Sequence, residues 1–251
     1  MITFIGAGPG DPELLTIKGK RLIDEADVII FAGSLVNPGV LDGHKEGAEI
    51  HDSAYLHLDQ VIEIMERAER EGKKCVRVHT GDPAIYGAHR EQMDRLDELG
   101  ITYEVVPGVS SFLATAAVLN KEYTLPGKSQ TVICTRMEGR TPMPPGEKLV
   151  DLARHHSTMI IFLSIGFMDE MTAQLMEGGY EPTTPVAVVY KATWPDQKIV
   201  TGTIADIAAK VKEAGITKTA LTVVGDFLGD EYELSKLYDK HFTTEFRQAE
   251  E

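Results

Sequence analysis

Three glycine-containing segments carry the strongest chemical signature in this sequence. Each follows a short apolar run that predicts a strand, and ligands bind beyond the carboxyl ends of strands in open α/β sheets. Glycine lets a backbone turn tightly and approach a ligand closely, so main-chain N–H and C=O groups stay available to bind a zwitterion and a ribose. The segments are Gly6-Ala7-Gly8-Pro9-Gly10-Asp11, Thr80-Gly81-Asp82-Pro83-Ala84-Ile85-Tyr86-Gly87 and Val106-Pro107-Gly108-Val109-Ser110-Ser111.

A dinucleotide-binding loop is the first alternative for the segment at 6–11, and three observations weigh against it. The spacing is G-x-G-x-G instead of G-x-G-x-x-G, and Pro9 lacks the N–H that a pyrophosphate would use. The second predicted strand ends in Phe31-Ala32-Gly33, without the acidic residue that holds a ribose. A structural turn would explain one such loop, but three of them at one sheet edge favour a binding site.

No catalytic residue is assigned from the sequence, and no metal site is predicted. The eight histidines are scattered without an i, i+4 pair, and Cys75 and Cys134 lie far apart in the chain. Both cysteines fall in apolar runs and are predicted to be buried core residues. Asp11 is the weak candidate for a general base, because it leaves the glycine loop; a role in capping a turn is an equal alternative.

Charge and composition exclude several classes of function. The 251 residues include 25 basic and 39 acidic side chains, which gives a net charge of -14. Such a chain repels nucleic acid and anionic lipid unless it has a local basic patch. The longest apolar runs are strand-sized, and the start MITFIGAG resembles no targeting signal. The sequence therefore predicts a cytoplasmic protein that acts neither on nucleic acid nor at a membrane.

Strand-like runs alternate with amphipathic stretches, which predicts an α/β fold. Polar residues with Pro126 and Gly127 interrupt the pattern near the middle, and the pattern then restarts. We therefore expect an N-terminal α/β domain over 1–115, a C-terminal α/β domain over 116–242 and a polar tail over 243–251. A cleft between two such lobes is a favoured place for a small-molecule site.

Six segments together resemble the tetrapyrrole (precorrin) methyltransferase family, in order and over nearly the whole chain. The resemblance implies the two-lobed fold of that family, in which each lobe is an open mixed sheet with flanking helices and S-adenosylmethionine binds in the inter-lobe cleft. The matching segments are GAGPGDPELLT (6–16), HTGDPAIYG (79–87), VVPGVSS (105–111), TMIIFLSI (158–165), PVAVVYKAT (185–193) and TALTVVGDF (219–227).

Two further segments resemble the branch of the family that methylates carbon 11 of precorrin-4 or cobalt-precorrin-4 during cobalamin biosynthesis. They are FAGSLVNPGVL (31–41) and LPGKSQTVICTRMEGRTPMP (125–144). The resemblance implies an S-adenosylmethionine-dependent C-methyltransferase, with S-adenosylhomocysteine as its second product, and a homodimer. Another methyl acceptor, such as another precorrin carbon, a protein or an RNA, remains the alternative.

The resemblance also implies which residues contact the cofactor. They are Pro9, Thr80, Gly81, Asp82, Ile85, Ser110, Ser111, Leu163, Ala192 and Ala220. Leu163 replaces the methionine of many relatives, which conserves volume, and without the resemblance Leu163 and Ala192 would be interpreted as core residues.

The tetrapyrrole substrate carries several carboxylates, so an acidic protein needs focused positive charge to bind it. Arg136 and Arg140 are the predicted substrate contacts, because a guanidinium binds carboxylates through two parallel hydrogen bonds. Lys128 and His79 are weaker candidates. Pairing of both arginines with Glu138 or solvent is the alternative.

Overall fold

The structure is a computed structural model that describes residues 1–250. Ten strands form two five-stranded sheets, and seven α-helices accompany them. The strands are β1 (Ile2–Gly6), β2 (Val28–Phe31), β3 (Glu49–Asp52), β4 (Cys75–His79), β5 (Tyr103–Val106), β6 (Val132–Arg136), β7 (Thr158–Phe162), β8 (Pro185–Tyr190), β9 (Lys198–Thr203) and β10 (Ala220–Val224). The helices are α1 (Ile17–Asp24), α2 (Leu58–Arg70), α3 (Arg90–Glu98), α4 (Ser111–Leu119), α5 (Leu149–Ala153), α6 (Met168–Glu177) and α7 (Ile207–Glu213).

The first sheet has the order β3-β2-β4-β1-β5, and all its neighbouring strands are parallel. A parallel sheet is covered on both faces, which explains why β1 is buried at every position. Phe4 and Ile30 face a core that includes Met65 of α2, and Ile5 and Ile29 face a second core on the opposite side. The sheet is therefore a rigid frame with β1 between β4 and β5.

The second sheet has the order β6-β7-β10-β8-β9 and is mixed. Strand β6 is parallel to β7, whereas β10 runs antiparallel to both β7 and β8. Met159 and Ile161 of β7 pack in one core with Val186 and Val188 of β8 and with α5, α6 and α7. The predicted α/β class with two open sheets is confirmed, and the first sheet differs from the expected mixed arrangement in that its strands are all parallel.

The chain divides into two compact units. The first comprises Met1–Val118 and Lys191–Lys198, and the second begins as Leu119–Tyr190 and resumes at Ile199. The segment between β8 and β9 thus belongs to the first unit. The domain boundaries at 115 and 242 stay predictions. No helix within residues 1–250 combines the length and apolar character needed to cross a bilayer.

Several elements differ from the sequence prediction for local reasons. Helix α3 begins only at Arg90, because Tyr86 and Ala88, just before it, have left-handed φ angles of 54° and 47°. The expected break after residue 115 falls in α4, an apolar helix without an amphipathic pattern. Cys75 is buried as expected, but Cys134 is exposed, which corrects the prediction for it.

The stability of the second unit is expected to depend on Phe227. This side chain is fully buried and contacts the ring of Tyr123 edge-on, with 5.0 Å between the ring centroids. Replacing a buried phenylalanine by alanine costs about 3–5 kcal/mol, so Phe227→Ala should lower the free energy of unfolding by that amount. Phe246 is 93 % exposed and provides the matched control, since Phe246→Ala should change stability by less than about 0.5 kcal/mol. Equal effects of the two variants in denaturant unfolding would contradict this packing.

Candidate cofactor-binding site

The loops after β1, β4 and β5 meet through their backbones. The Ala7 N–H donates to the His79 carbonyl at 2.7 Å, and Gly8 and Gly81 exchange hydrogen bonds at 3.2 and 2.8 Å. A Cβ at Gly6 would lie 2.6 Å from both the Gly108 nitrogen and the Gly81 oxygen, and one at Gly108 would overlap the same oxygen. Only glycine at positions 6 and 108 allows this three-way contact.

The Asp82 side chain ties two of these loops together. One carboxylate oxygen accepts from the Gly108 N–H at 2.9 Å, and the other accepts from the Ala84 N–H at 2.8 Å. The carboxylate thus holds its own loop and the loop after β5 in one arrangement. Asp82 was predicted as a cofactor contact, and its position identifies it in addition as a residue that positions the loops.

The remaining predicted contacts of the first unit lie on the same loops. Thr80 directly follows β4, and Ile85 donates its N–H to the Asp82 carbonyl at 3.2 Å. Ser110 is buried and precedes α4, which begins at Ser111. The first N–H groups of a helix have no acceptor within the helix, and together with the helix dipole they attract a carboxylate. This edge is therefore suited to the carboxylate of an amino-acid ligand.

Trp194 covers the glycine loop within the first unit, and the sequence analysis did not find it. Its Nε1 donates to the Pro9 carbonyl at 2.9 Å, and a Cβ at Gly10 would overlap the indole ring. Thr193 beside it accepts from the Asp11 N–H at 3.0 Å. Ala192, a predicted cofactor contact, is buried in the same segment. The signal that could have found this segment is the single tryptophan of the chain, placed directly after a strand end.

The Asp11 carboxylate caps a turn. Its Oδ1 accepts from the Glu13 N–H at 2.9 Å and begins the 3-10 turn Pro12–Leu14. The capping role, which the sequence left as an alternative, thus accounts for this side chain.

Two predicted contacts of the second unit lie at one end of its sheet. Leu163 follows β7, is 68 % exposed and has φ of 53°. Ala220 begins β10, which runs antiparallel to β7, so it lies at the same end of the sheet as Leu163. Thr219, just before Ala220, also has φ of 53°. Backbone strain of this kind in residues other than glycine concentrates at functional sites.

The two predicted substrate arginines have different surroundings. The Arg136 guanidinium donates to the carbonyls of Met137, Thr141 and Pro142 at 3.0–3.2 Å, so it organises its own loop. Arg140, on that loop, is exposed and forms no ion pair within residues 1–250. Glu138 instead lies 3.9 Å from Lys148. Arg140 is therefore available to bind a carboxylate, and the expected alternative of pairing with Glu138 does not occur.

His79 and Lys128 do not join this group. Burial lowers the pKa of His79 to about 3, helped by the nearby charge of Arg77, so the ring is neutral near pH 7. It therefore cannot act as the cation that was considered for the substrate.

Lys128 lines a separate pocket of about 310 Å³ in the second unit together with His156, Tyr180 and Asp226. Within residues 1–250, no cluster of three or more His, Cys, Asp or Glu side chains could hold a metal ion.

Comparison with known proteins identifies the family. The profile of the tetrapyrrole (corrin/porphyrin) methylases matches residues 1–208. The chain is 58 % identical over 249 residues to the cobalt-precorrin-4 C(11)-methyltransferase of Methanocaldococcus jannaschii, covering 99 % of this chain and 96 % of that protein. The chain therefore belongs to the tetrapyrrole methylase family.

Solved structures agree with this assignment. The X-ray structure of the cobalamin biosynthetic enzyme cobalt precorrin-4 methyltransferase, CbiF, superposes with a TM-score of 0.89 at 47 % identity, over 91 % of this chain and 96 % of that one. A uroporphyrin-III C-methyl transferase from Thermus thermophilus complexed with S-adenosylhomocysteine superposes with a TM-score of 0.76 at 27 % identity, over 90 % and 92 %. The two-sheet architecture is thus the tetrapyrrole methylase fold.

The contact of the three loops leads to a direct prediction. Gly108→Ala forces a Cβ against the Gly81 carbonyl and should destabilise the first unit by about 1–3 kcal/mol while disordering the glycine loop. Gly166→Ala is the control, because its Cβ would meet no atom within 4 Å. Denaturant unfolding gives the stability, and the fluorescence of Trp194, the single tryptophan, reports the loop. Unchanged stability and fluorescence in Gly108→Ala would contradict the contact.

Proposed function

We propose that this protein is an S-adenosylmethionine-dependent methyltransferase that methylates carbon 11 of precorrin-4 or cobalt-precorrin-4 in cobalamin biosynthesis. The observation that carries the proposal is the edge formed by the loops after β1, β4 and β5, in a chain 58 % identical to a relative named for this reaction. The segments at 31–41 and 125–144 support the same branch.

The proposed cofactor site fits the groups of S-adenosylmethionine. The glycine contacts keep side chains out of the loops' meeting point, and the start of α4 contributes the positive end of its helix dipole toward the methionine carboxylate. Pro9, Thr80, Gly81, Asp82, Ile85, Ser110, Ser111 and Ala192 are the proposed contacts of the first unit. For Leu163 and Ala220 of the second unit, the contact with the adenine is proposed from the resemblance alone.

Methyl transfer from a sulfonium requires little acid–base catalysis by the protein. When bound, S-adenosylmethionine supplies an activated methyl group on its sulfonium. The protein residues then contribute binding and orientation, which alone remove a large part of a bimolecular barrier. The interlocked loops supply a rigid support, because each is hydrogen-bonded to a neighbour. We assign no general base.

Arg140 is the proposed contact for a substrate carboxylate, and Arg136 supports the loop that presents it. The net charge of -14 repels a polyanionic tetrapyrrole, so a cation is needed where its carboxylates bind.

We further propose that the protein is a cytoplasmic homodimer that acts on neither nucleic acid nor membranes. A scattering mass near the 27.6 kDa of one chain would contradict the dimer.

Methyl transfer to a defined acceptor tests the proposed function. The protein is incubated with methyl-labelled S-adenosylmethionine and precorrin-4, with and without cobalt, and NMR locates the new methyl. We expect label at carbon 11 and release of S-adenosylhomocysteine. Label at another carbon, or only on protein or RNA offered in parallel, would overturn the assigned acceptor.

Asp82→Ala should weaken cofactor binding by more than tenfold without unfolding the protein. The variant removes the carboxylate that accepts from the Gly108 and Ala84 N–H groups, and hydrogen bonds to a charged group contribute about 1.5–3 kcal/mol. Calorimetric titration with S-adenosylhomocysteine measures the effect, with Asp42→Ala, an exposed aspartate in the same unit, as the control. Wild-type affinity in Asp82→Ala would show that the hydrogen bonds accepted by the Asp82 carboxylate do not contribute to cofactor binding.

Arg140→Ala should raise the KM for the tetrapyrrole by about tenfold and leave cofactor affinity unchanged, since the loss of one charge-assisted contact costs about 1.5 kcal/mol. High salt should produce part of the same effect in the wild type by screening. Arg70→Ala removes an equal charge from an exposed site in the first unit and serves as the control. A normal KM, or a loss of cofactor binding, would give Arg140 a different role.

A further inference from the structure

A buried polar cluster lies beneath the loop that follows β4, in a region otherwise filled by apolar side chains. It consists of Arg77 and His79 on β4 and Gln92 on α3, which are 7 %, 4 % and 6 % exposed. Burying polar groups costs free energy unless they are hydrogen-bonded, and apolar residues would fill the same volume without this cost. The hydrogen bonds of these three side chains explain why polar residues occupy these positions.

Arg77 has no carboxylate partner among residues 1–250. Its Nη1 donates to the carbonyls of Ile30 and Val78 at 3.4 and 3.3 Å, and its Nε donates to Oε1 of Gln92 at 3.2 Å. Burial lowers the pKa of Arg77 to about 10, so it remains a cation near pH 7. Arg77 thus fixes the orientation of the Gln92 amide, with its oxygen toward the guanidinium.

The orientation of Gln92 aims its amide nitrogen at the loop. Nε2 of Gln92 donates to the Ala88 carbonyl at 3.2 Å. The His79 ring lies beside the Gly87 backbone, while its Nε2 has no hydrogen-bond partner within the described residues. The Ala88 carbonyl is therefore held by a side-chain hydrogen bond, and the neighbouring Gly87 backbone lies against the His79 ring.

The loop that they hold is strained. Tyr86 and Ala88 have left-handed φ angles of 54° and 47°, and a Cβ at Gly87 would overlap the Pro83 carbonyl oxygen. Such conformations cost free energy in residues other than glycine and persist only where the surroundings enforce them. The same loop includes Asp82, which ties it to Gly108, and Ile85.

We propose that Arg77, His79 and Gln92 are positioning residues that hold the loop 83–88 in the conformation required to bind S-adenosylmethionine. The inference rests on the proposed function, because it assigns a binding role to that loop. None of the three side chains touches the ligand in this account. They act through the Ala88 carbonyl and the adjacent Gly87 backbone.

Gln92→Glu separates this role from simple packing. A glutamate accepts from the Arg77 Nε as the glutamine does, and beside the guanidinium it stays ionised and forms a stronger, charge-assisted bond. Its second oxygen cannot donate to the Ala88 carbonyl and repels it instead, so the bond to the loop is lost while the bond to Arg77 is kept. Gln248→Glu, in the exposed tail, adds the same charge and is the matched control.

The full-length variants are titrated with S-adenosylhomocysteine by calorimetry, melted, and assayed for the KM for S-adenosylmethionine and for kcat. We expect Gln92→Glu to melt within a few degrees of the wild type, to bind roughly three- to tenfold more weakly and to show a raised KM with kcat less affected. Wild-type affinity in a folded Gln92→Glu overturns the proposal. No binding by the wild type would instead refute the proposed function.

A second pair of variants keeps the test decisive if Gln92→Glu does not fold. His79→Asn retains a donor near the position of the ring Nδ1, whereas His79→Leu has none. We expect His79→Asn to bind S-adenosylhomocysteine at least threefold more tightly than His79→Leu at similar melting temperature. Equal affinities of the two variants would contradict the role of His79.

Discussion

The backbone contact between Gly6, Gly81 and Gly108 is the constraint on which the first unit's binding edge depends. Strand β1 lies between β4 and β5, so three consecutive loops of one sheet edge leave side by side. A Cβ on Gly6 would lie only 2.6 Å from the Gly108 nitrogen and from the Gly81 oxygen. The loops would have to move apart to accommodate it. Separation would also break the Gly8–Gly81 pair and the bond from Gly108 to Asp82. The side-chain contacts at this edge can therefore form only because glycine occupies these positions.

The interactions around this contact form successive layers. Asp82 links the loops after β4 and β5 through backbone N–H groups, and Trp194 covers the loop after β1 from a segment that leaves the second sheet and returns to it. At the loop after β4, Gln92 donates to the Ala88 carbonyl, and the His79 ring lies beside the Gly87 backbone. In each case a side chain restrains the backbone, which suits a reaction whose main requirement is orientation of the reactants.

The sequence predicted the fold class and most strands because buried parallel strands are apolar runs bounded by turn residues, as in β1 and β2. It missed β3, Glu49–Asp52, whose residues are polar, and α4, whose residues are apolar on all sides. The three loops were predicted from their glycines. Trp194 was not, since its packing on Gly10 is a contact over 184 positions of chain. Nor was the neutral state of His79, which depends on its burial in the tertiary structure. The contacts of Arg136 with carbonyls one to six residues away were not predicted either, because they depend on the irregular backbone of that loop.

Hydrogen–deuterium exchange of the whole protein, with and without S-adenosylhomocysteine, tests the central claim most directly. The account predicts slower exchange on ligand binding in the backbone amides of 7–11, 80–88 and 108–113, all of which belong to the three loops and the start of α4. Gly166 and the tail after residue 243 should exchange as before. Ligand binding that leaves all three loops unprotected, or that protects only other segments, would contradict the assignment of this edge as the cofactor site.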